Sequence, residues 1–136
     1  MEPGTDQSPQ VSEVTLELRE GYLHARLVPG FEITPERMNR LWTEVGEACL
    51  RHGIRRVLTE GTVAGRRMTT MDSFDNAAQA ARLAPGLAMA CLVQGYVPDE
   101  QTEFFKVAAM NRGVRVEFFA DRDAALRWLR VGPAKA

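Results

Sequence analysis

Surplus charge, aromatic residues and long apolar runs are all scarce in this 136-residue chain, and each absence excludes a class of protein. The formal net charge is -1 and aromatic residues make up 7% of the sequence. No global field therefore attracts nucleic acid or an anionic membrane. The arginine pairs at 55–56 and 66–67 also lack the interleaved aromatic residues of a nucleic-acid platform. These two observations predict no nucleic-acid partner. No apolar run approaches the length of a membrane span, so we also predict no membrane span.

Cysteine and histidine are equally rare, with two of each. Cys49 falls on a helical pattern and Cys91 in an apolar run, which predicts buried free thiols and no nucleophile. Neither His24 nor His52 has a Cys, Asp or Glu nearby at metal-ligand or triad spacing. Glu60 could act as a general base, but no acid partner is evident. We therefore predict no metal, no cofactor and no catalytic residue, and an enzyme is the least favoured class.

Hydrophobic residues make up 45% of the chain, which is enough for one domain with a core of its own. Residues 1–11 and 132–136 show no apolar periodicity and are predicted to be tails, with the domain over 12–131. The polar N-terminus has no signal-peptide pattern, so we expect a soluble, cytoplasmic protein.

Between the tails, strand-like and helix-like segments alternate. The predicted elements are a hairpin over 14–27, a helix over 34–53, a strand over 54–60, a loop over 61–71, a helix over 72–84, a strand over 87–96, a helix over 98–112, a strand over 114–121 and a helix over 121–130. Alternating strands and helices imply parallel neighbours joined by crossovers. We predict a single α/β domain with a mixed five-stranded sheet, in the order β-β-α-β-α-β-α-β-α.

Three stretches carry a family resemblance: "EGYLHARLVPGFEITPERMNRLW", "RRVLTEG" and "NRGVRVEFFADRDAALRWLR". They resemble the bacterial SpoIIAA-like domains, described as STAS-like with a lipid-transfer-like fold, over most of residues 12–130. The better-known relatives are anti-anti-sigma factors, in which a serine at a helix start is phosphorylated within an Asp-Ser-Ser-Gly-like turn. Asp72–Ser73 is the matching pair here, although Phe74 follows it. The resemblance implies a protein partner, either a kinase or an anti-sigma-like protein.

The stretch "RRMTTMDSFDNAAQAARLAPG", residues 66–86, leaves two interpretations open. In the first, Asp72, Thr69 or Thr70 is an N-cap that starts a helix, and Asp75 supports the cap at Asp72. In the second, Ser73 is a phosphorylation site. A phosphate there would lie at the positive end of the helix dipole, with the arginines at 66–67 within reach.

The same region is a candidate binding site, because ligands of parallel α/β sheets bind where strands end and helices begin. "EGTVAGRRMTT" and "QGYVPDEQ" should lie side by side at that edge. Gly61 and Gly65 could bring backbone N–H groups to an anion, although the Lys-Ser/Thr ending of a nucleotide loop is missing; the alternative is a plain loop. The candidate residues for a ligand or partner are Arg66, Arg67, Thr69, Thr70, Asp72 and Tyr96.

Two functions follow from this region. The first is a non-enzymatic STAS-like regulatory or protein-docking module, which should show a shallow surface with exposed apolar residues. The alternative is a carrier or sensor of a small apolar or anionic, lipid-like ligand, which should show a closed pocket near Arg66, Thr70 and Tyr96. In each of the pairs Phe104–Phe105 and Phe118–Phe119, one member must point partly outward, since neighbouring residues cannot fully share a face. An exposed member would indicate a protein interface or a homodimer.

Overall fold

A five-stranded mixed sheet forms the centre of the fold. The computed structural model describes residues 13–94 and 99–130, apart from the side chain of Ala64. The elements are β1 (Val14–Arg19), β2 (Tyr22–Leu27), β3 (Phe31–Ile33), α1 (Pro35–His52), β4 (Arg56–Gly61), β5 (Val63–Arg66), α2 (Thr70–Leu83), β6 (Ala88–Val93), α3 (Glu100–Met110), β7 (Arg115–Phe119) and α4 (Arg122–Leu129).

The sheet has the strand order β1-β2-β4-β6-β7. β1 and β2 form an antiparallel hairpin, whose turn contains Gly21 at a φ of 89°, a conformation that suits glycine. The other neighbouring pairs are all parallel, as expected when helices connect the strands. The predicted single α/β domain with a mixed five-stranded sheet is therefore confirmed.

Helices cover both faces of this sheet. α1, α2 and α3 pack on the face that carries Leu23, Val57, Met89 and Val116. α4 packs on the opposite face, against a smaller cluster built around Leu58, Ala88, Ala90 and Leu92. Since both faces of β6 are covered, its sequence AMACLV is continuously apolar.

α1 shows how local sequence sets an element. Thr34 accepts a hydrogen bond from the backbone N–H of Arg37, Pro35 occupies the first turn, and Gly53 ends the helix in the left-handed conformation. The apolar residues of α1 at three- and four-residue spacing are buried, including Leu41, Trp42 and Val45.

A second, two-stranded parallel sheet joins β3 to β5. The prediction of a plain loop over 61–71 is wrong for its first half, because β5 occupies Val63–Arg66. These strands have three and four residues, which is too short for an alternating pattern to identify them. We call the β3–β5 pair the ribbon.

Some predictions concern residues outside the described ranges. The tails 1–11 and 132–136 and the candidate Tyr96 belong to this group. Among the helices that the structure describes, none is long and apolar enough to cross a membrane.

Candidate functional site

The predicted site segment lies at the carboxyl ends of the parallel strands. The Arg66 guanidinium Nη2 is 2.9 Å from the Asp99 carboxylate, and Gln101 Nε2 donates to the carbonyl oxygen of Met68 at 3.0 Å. The segment after β4 and the segment after β6 are therefore neighbours at one edge of the sheet, as the sequence predicted.

α2 begins with a capping box. The Thr69 hydroxyl accepts from the backbone N–H of Asp72 at 3.0 Å, and the Asp72 carboxylate accepts from the backbone N–H of Thr69 at 2.9 Å. Of the three candidates, Thr69 is thus the N-cap. Thr70 is the first residue of the helix and Asp72 closes the box.

Ser73 is buried, with 4% of its surface exposed. The start of α2 at Thr70 places Ser73 in the first turn, where its backbone N–H donates to the carbonyl of Thr69 at 3.0 Å. Phosphorylation of Ser73 stays a prediction. Because Ser73 is buried, its side chain would have to leave the core before a kinase could reach it.

Arg66 and Arg67 both have carboxylate partners. Arg67 Nη2 is 2.6 Å from Glu32, and Arg66 is paired with Asp99. The backbone hydrogen bond from Thr102 and the Arg66 guanidinium keep the pKa of Asp99 below its ordinary value, against a smaller opposing effect of burial. An anion at this edge would have to compete with these carboxylates.

Beneath the ribbon lies a pocket of about 100 Å³ between the sheet and helices α1, α2 and α3. We call it the apolar pocket. Its lining includes Phe31, Trp42, Thr59, Met89, Cys91 and Phe105. The pocket sits at the carboxyl ends of β4 and β6, where α/β sheets commonly bind ligands. The one charged residue that lines it within the described ranges, Arg66, is engaged with Asp99.

One polar side chain of the apolar pocket stands apart. Thr59 is 5% exposed, and its hydroxyl has no hydrogen-bond partner within the part of the chain that the structure describes. Its register neighbours Ala25 and Cys91 put it on the face of the sheet that α1, α2 and α3 cover, so the hydroxyl faces the pocket. Two other buried side chains of this pocket are paired with each other, since Trp42 Nε1 donates to the Asn76 side-chain oxygen at 2.5 Å.

Both cysteines are free thiols, as predicted. Burial raises the pKa of Cys49. Burial, with a smaller contribution from the negative charge of Glu117, raises the pKa of Cys91 to about 12. Thiols with raised pKa values are poor nucleophiles at neutral pH. Cys91 therefore lines the apolar pocket as a protonated thiol.

A polar cluster that the sequence did not reveal lies on the α4 face. His24 is 4% exposed; its Nε2 is 2.8 Å from Glu60, while Arg19 lies 3.4 Å from its Nδ1. Arg122 donates to the other Glu60 oxygen at 2.6 Å. Burial of Glu60 opposes ionisation, but these hydrogen bonds outweigh it and lower its pKa. With both ring nitrogens occupied, His24 has a structural role in this arrangement.

His24 and Glu60 are separated by 36 positions in the chain. Only the parallel register of β2 with β4 brings them together, and a single sequence does not give that register. Groups of three or more His, Cys, Asp or Glu side chains that could hold a metal ion are absent from residues 13–94 and 99–130.

Comparison with solved structures finds a similar fold. No family model and no curated protein matches the chain. A solved structure that it resembles is an uncharacterized protein of the DUF3478 family with a SpoIIAA-like fold, from Shewanella loihica PV-4. The TM-score is 0.49 at 23% identity, over 85% of this chain and 91% of that one. The resemblance predicted from sequence agrees with this description, and at this level of similarity no function transfers to the present chain.

Proposed function

We propose that the chain is a binding module that holds a small, uncharged and mostly apolar molecule in the apolar pocket. The buried Thr59 hydroxyl carries this proposal. Leaving a buried polar group without a partner costs about 1–3 kcal/mol. A ligand with one hydrogen-bonding group would remove that cost when it binds.

The size of the pocket sets the size of the ligand. At about 100 Å³, it is somewhat smaller than the ~150 Å³ engineered cavity in another protein that binds benzene. A single ring or a short branched chain fits that space, and a longer ligand would have to displace the ribbon.

The lining sets the chemistry. Met89, Phe105 and Phe31 supply apolar surface, and the Thr59 hydroxyl can both donate and accept. Because Arg66 is already paired with Asp99, burying an anion here would leave its charge uncompensated. The pocket therefore favours the apolar over the anionic form of the predicted carrier or sensor.

Replacing Thr59 with its isostere valine separates stability from binding. Thr59→Val should raise the free energy of unfolding of the empty protein by about 1 kcal/mol, because it removes an unpartnered hydroxyl from the interior. Urea denaturation followed by circular dichroism measures this. Thr43→Val is the matched control: the Thr43 hydroxyl donates to the carbonyl of Asn39 at 2.8 Å, so its loss should give no such gain.

Phenol and benzene form a matched pair of probes for the same hydroxyl. NMR titration should show phenol preferred over benzene by the parent protein, and Thr59→Val should reduce that preference about threefold to tenfold. Thr43→Val should leave it unchanged. If neither probe perturbs signals of the pocket residues, or if the preference survives Thr59→Val, the proposal is wrong.

A second candidate is the homodimer interface predicted from the Phe104–Phe105 pair, favoured by an exposed apolar stripe on α3. Phe104, Val107 and Met110 follow one another at three-residue spacing and are 39%, 50% and 59% exposed. Phe105 is 8% exposed, so Phe104 is the outward member of its pair. We infer that this stripe pairs with the same stripe of a second copy, because an isologous contact needs only one self-complementary surface. A net charge of -1 offers little repulsion between copies.

Sedimentation velocity tests this second candidate. The parent protein should form a dimer at micromolar to millimolar concentration, and Val107→Lys should return it to monomer without loss of helical content. Leu50→Lys is the control, since Leu50 is 85% exposed and lies on α1. A parent protein that stays monomeric throughout this range would contradict self-docking.

A further inference from the structure

Three arginines line one cleft at the amino ends of the parallel strands, opposite the edge that holds the apolar pocket. Arg55 is the residue before β4, Arg56 is the first residue of β4, and Arg115 is the first residue of β7. All three line an open cleft of about 570 Å³. Small-molecule sites commonly have volumes of roughly 300–1,000 Å³.

The strand register fixes the relative positions of these arginines. Arg56 and Arg115 both pair with Ala88, on either side of it, so they extend from the same face of the sheet. Two strand spacings separate their backbones by about 9–10 Å. The N–H of Ala88 donates to the carbonyl of Arg55 at 2.8 Å, and the N–H of Arg115 donates to the carbonyl of Leu87 at 2.9 Å. The backbone under the cleft is therefore held in place.

The positive charge of this cleft has no counter-charge within the described residues. No Asp or Glu is among the cleft-lining residues, and none of the three guanidinium groups makes an ion pair there. The arginines at the carboxyl edge differ, since Arg66 and Arg122 both contact carboxylates. Three unpaired cations in one cleft are a local excess in a chain of net charge -1.

A role in capping helix ends does not account for the three arginines. Arg112 has that role, because its Nη1 donates to the carbonyl of Ala108 near the end of α3 at 3.3 Å. Arg55 instead lies along Gly86, where an added Cβ would be 3.4 Å from its Cδ. Arg115 lies over the Trp128 ring at 5.2 Å from the centroid. These contacts orient two side chains and leave their N–H donors available to a ligand.

We propose that this cleft binds a small organic anion that carries at least two negative charges and an apolar group. The guanidinium groups would bind the phosphate or carboxylate oxygens, which match their planar donor geometry. Leu50, 85% exposed, and Ile54 line the same cleft and would contact the apolar group. This site is independent of the apolar pocket, because the two lie at opposite edges of the sheet.

Titration calorimetry with inorganic phosphate, pyrophosphate and phenyl phosphate tests the proposal on the full chain. Pyrophosphate should bind at least about tenfold more tightly than phosphate, and affinity should fall as salt is raised. Phenyl phosphate should also bind more tightly than phosphate. Arg55→Gln, Arg56→Gln and Arg115→Gln should each weaken pyrophosphate binding at least fivefold. Arg26→Gln, the same change of charge near the opposite edge, should alter it less than twofold.

Thermal melting confirms that each variant is folded before it is titrated. Equal weakening by all four substitutions would show non-specific attraction and would overturn the proposal, as would undetectable pyrophosphate binding by the parent protein. A nucleic-acid fragment that binds more tightly than any small anion would also overturn it, because the cleft would then belong to a different class of partner.

Discussion

Gly46→Ala is expected to lower the free energy of unfolding by about 3 kcal/mol, the upper part of the usual range for overpacking a core. Gly46 is buried within α1, where α1 crosses the end of α2. A Cβ at this position would overlap the carbonyl oxygen of Leu83 and lie 2.9 Å from its carbonyl carbon. Both atoms belong to the backbone, so no side-chain rotation can relieve the overlap.

The sign of this effect makes the experiment informative. In an unpacked helix, glycine to alanine is stabilising by about 1 kcal/mol, so helix propensity alone predicts the opposite result. Gly65→Ala, in strand β5, is the control for an added methyl group that causes no overlap, because a Cβ there meets nothing within 4 Å and Gly65 has no left-handed φ. Urea denaturation of both variants decides between destabilisation by overlap and stabilisation by helix propensity. A Gly46→Ala protein as stable as the parent would show that α1 and α2 do not approach this closely.

Trp42→Ala is expected to cost about 3–5 kcal/mol, the usual range for removing a large buried aromatic side chain. Trp42 is 1% exposed and its ring stacks on Phe105, with centroids 6.4 Å apart. The substitution would also leave the buried Asn76 side-chain oxygen without its donor. Denaturation midpoints in urea measure the loss.

Leu50→Ala is the control for Trp42→Ala because it lies on the same helix at 85% exposure. It should change the free energy of unfolding by less than about 0.5 kcal/mol. Equal losses for the two variants would contradict the packing of α1 on the sheet. Since Trp42 also lines the apolar pocket, its removal should enlarge the space, and benzene should bind Trp42→Ala more tightly than the parent protein.

The elements that could be predicted from sequence are those whose signals are local. The hairpin around Gly21 shows alternation and a turn glycine, and α1 shows an N-cap, an apolar stripe and a terminating Gly53. The order of the main strands and helices followed from these signals. The ribbon did not, because β3 and β5 are short and gain their structure by pairing across about thirty residues of chain.

The site was predictable in location and much less so in its contacts. Strand order placed the Arg66 and Asp99 segments together, which the structure bears out. The start of α2 was placed two residues late, so the burial of Ser73 could not be anticipated. The role of Thr59 depends on which face of β4 it occupies, and its lack of a partner depends on packing among elements that are distant in the chain. Neither property is encoded in neighbouring residues.

We expect the ribbon to separate the exchange of the proposed ligand of the apolar pocket from global unfolding. Within residues 13–94 and 99–130 it consists of two short strands with no further neighbours in their sheet, and such a pair is only marginally stable by itself. The ribbon forms one side of the pocket, through Phe31, Ile33 and Val63. A guest molecule could therefore enter and leave through local opening of this cover while the five-stranded sheet stays intact, so its residence time would depend on the cover and not on the stability of the whole chain.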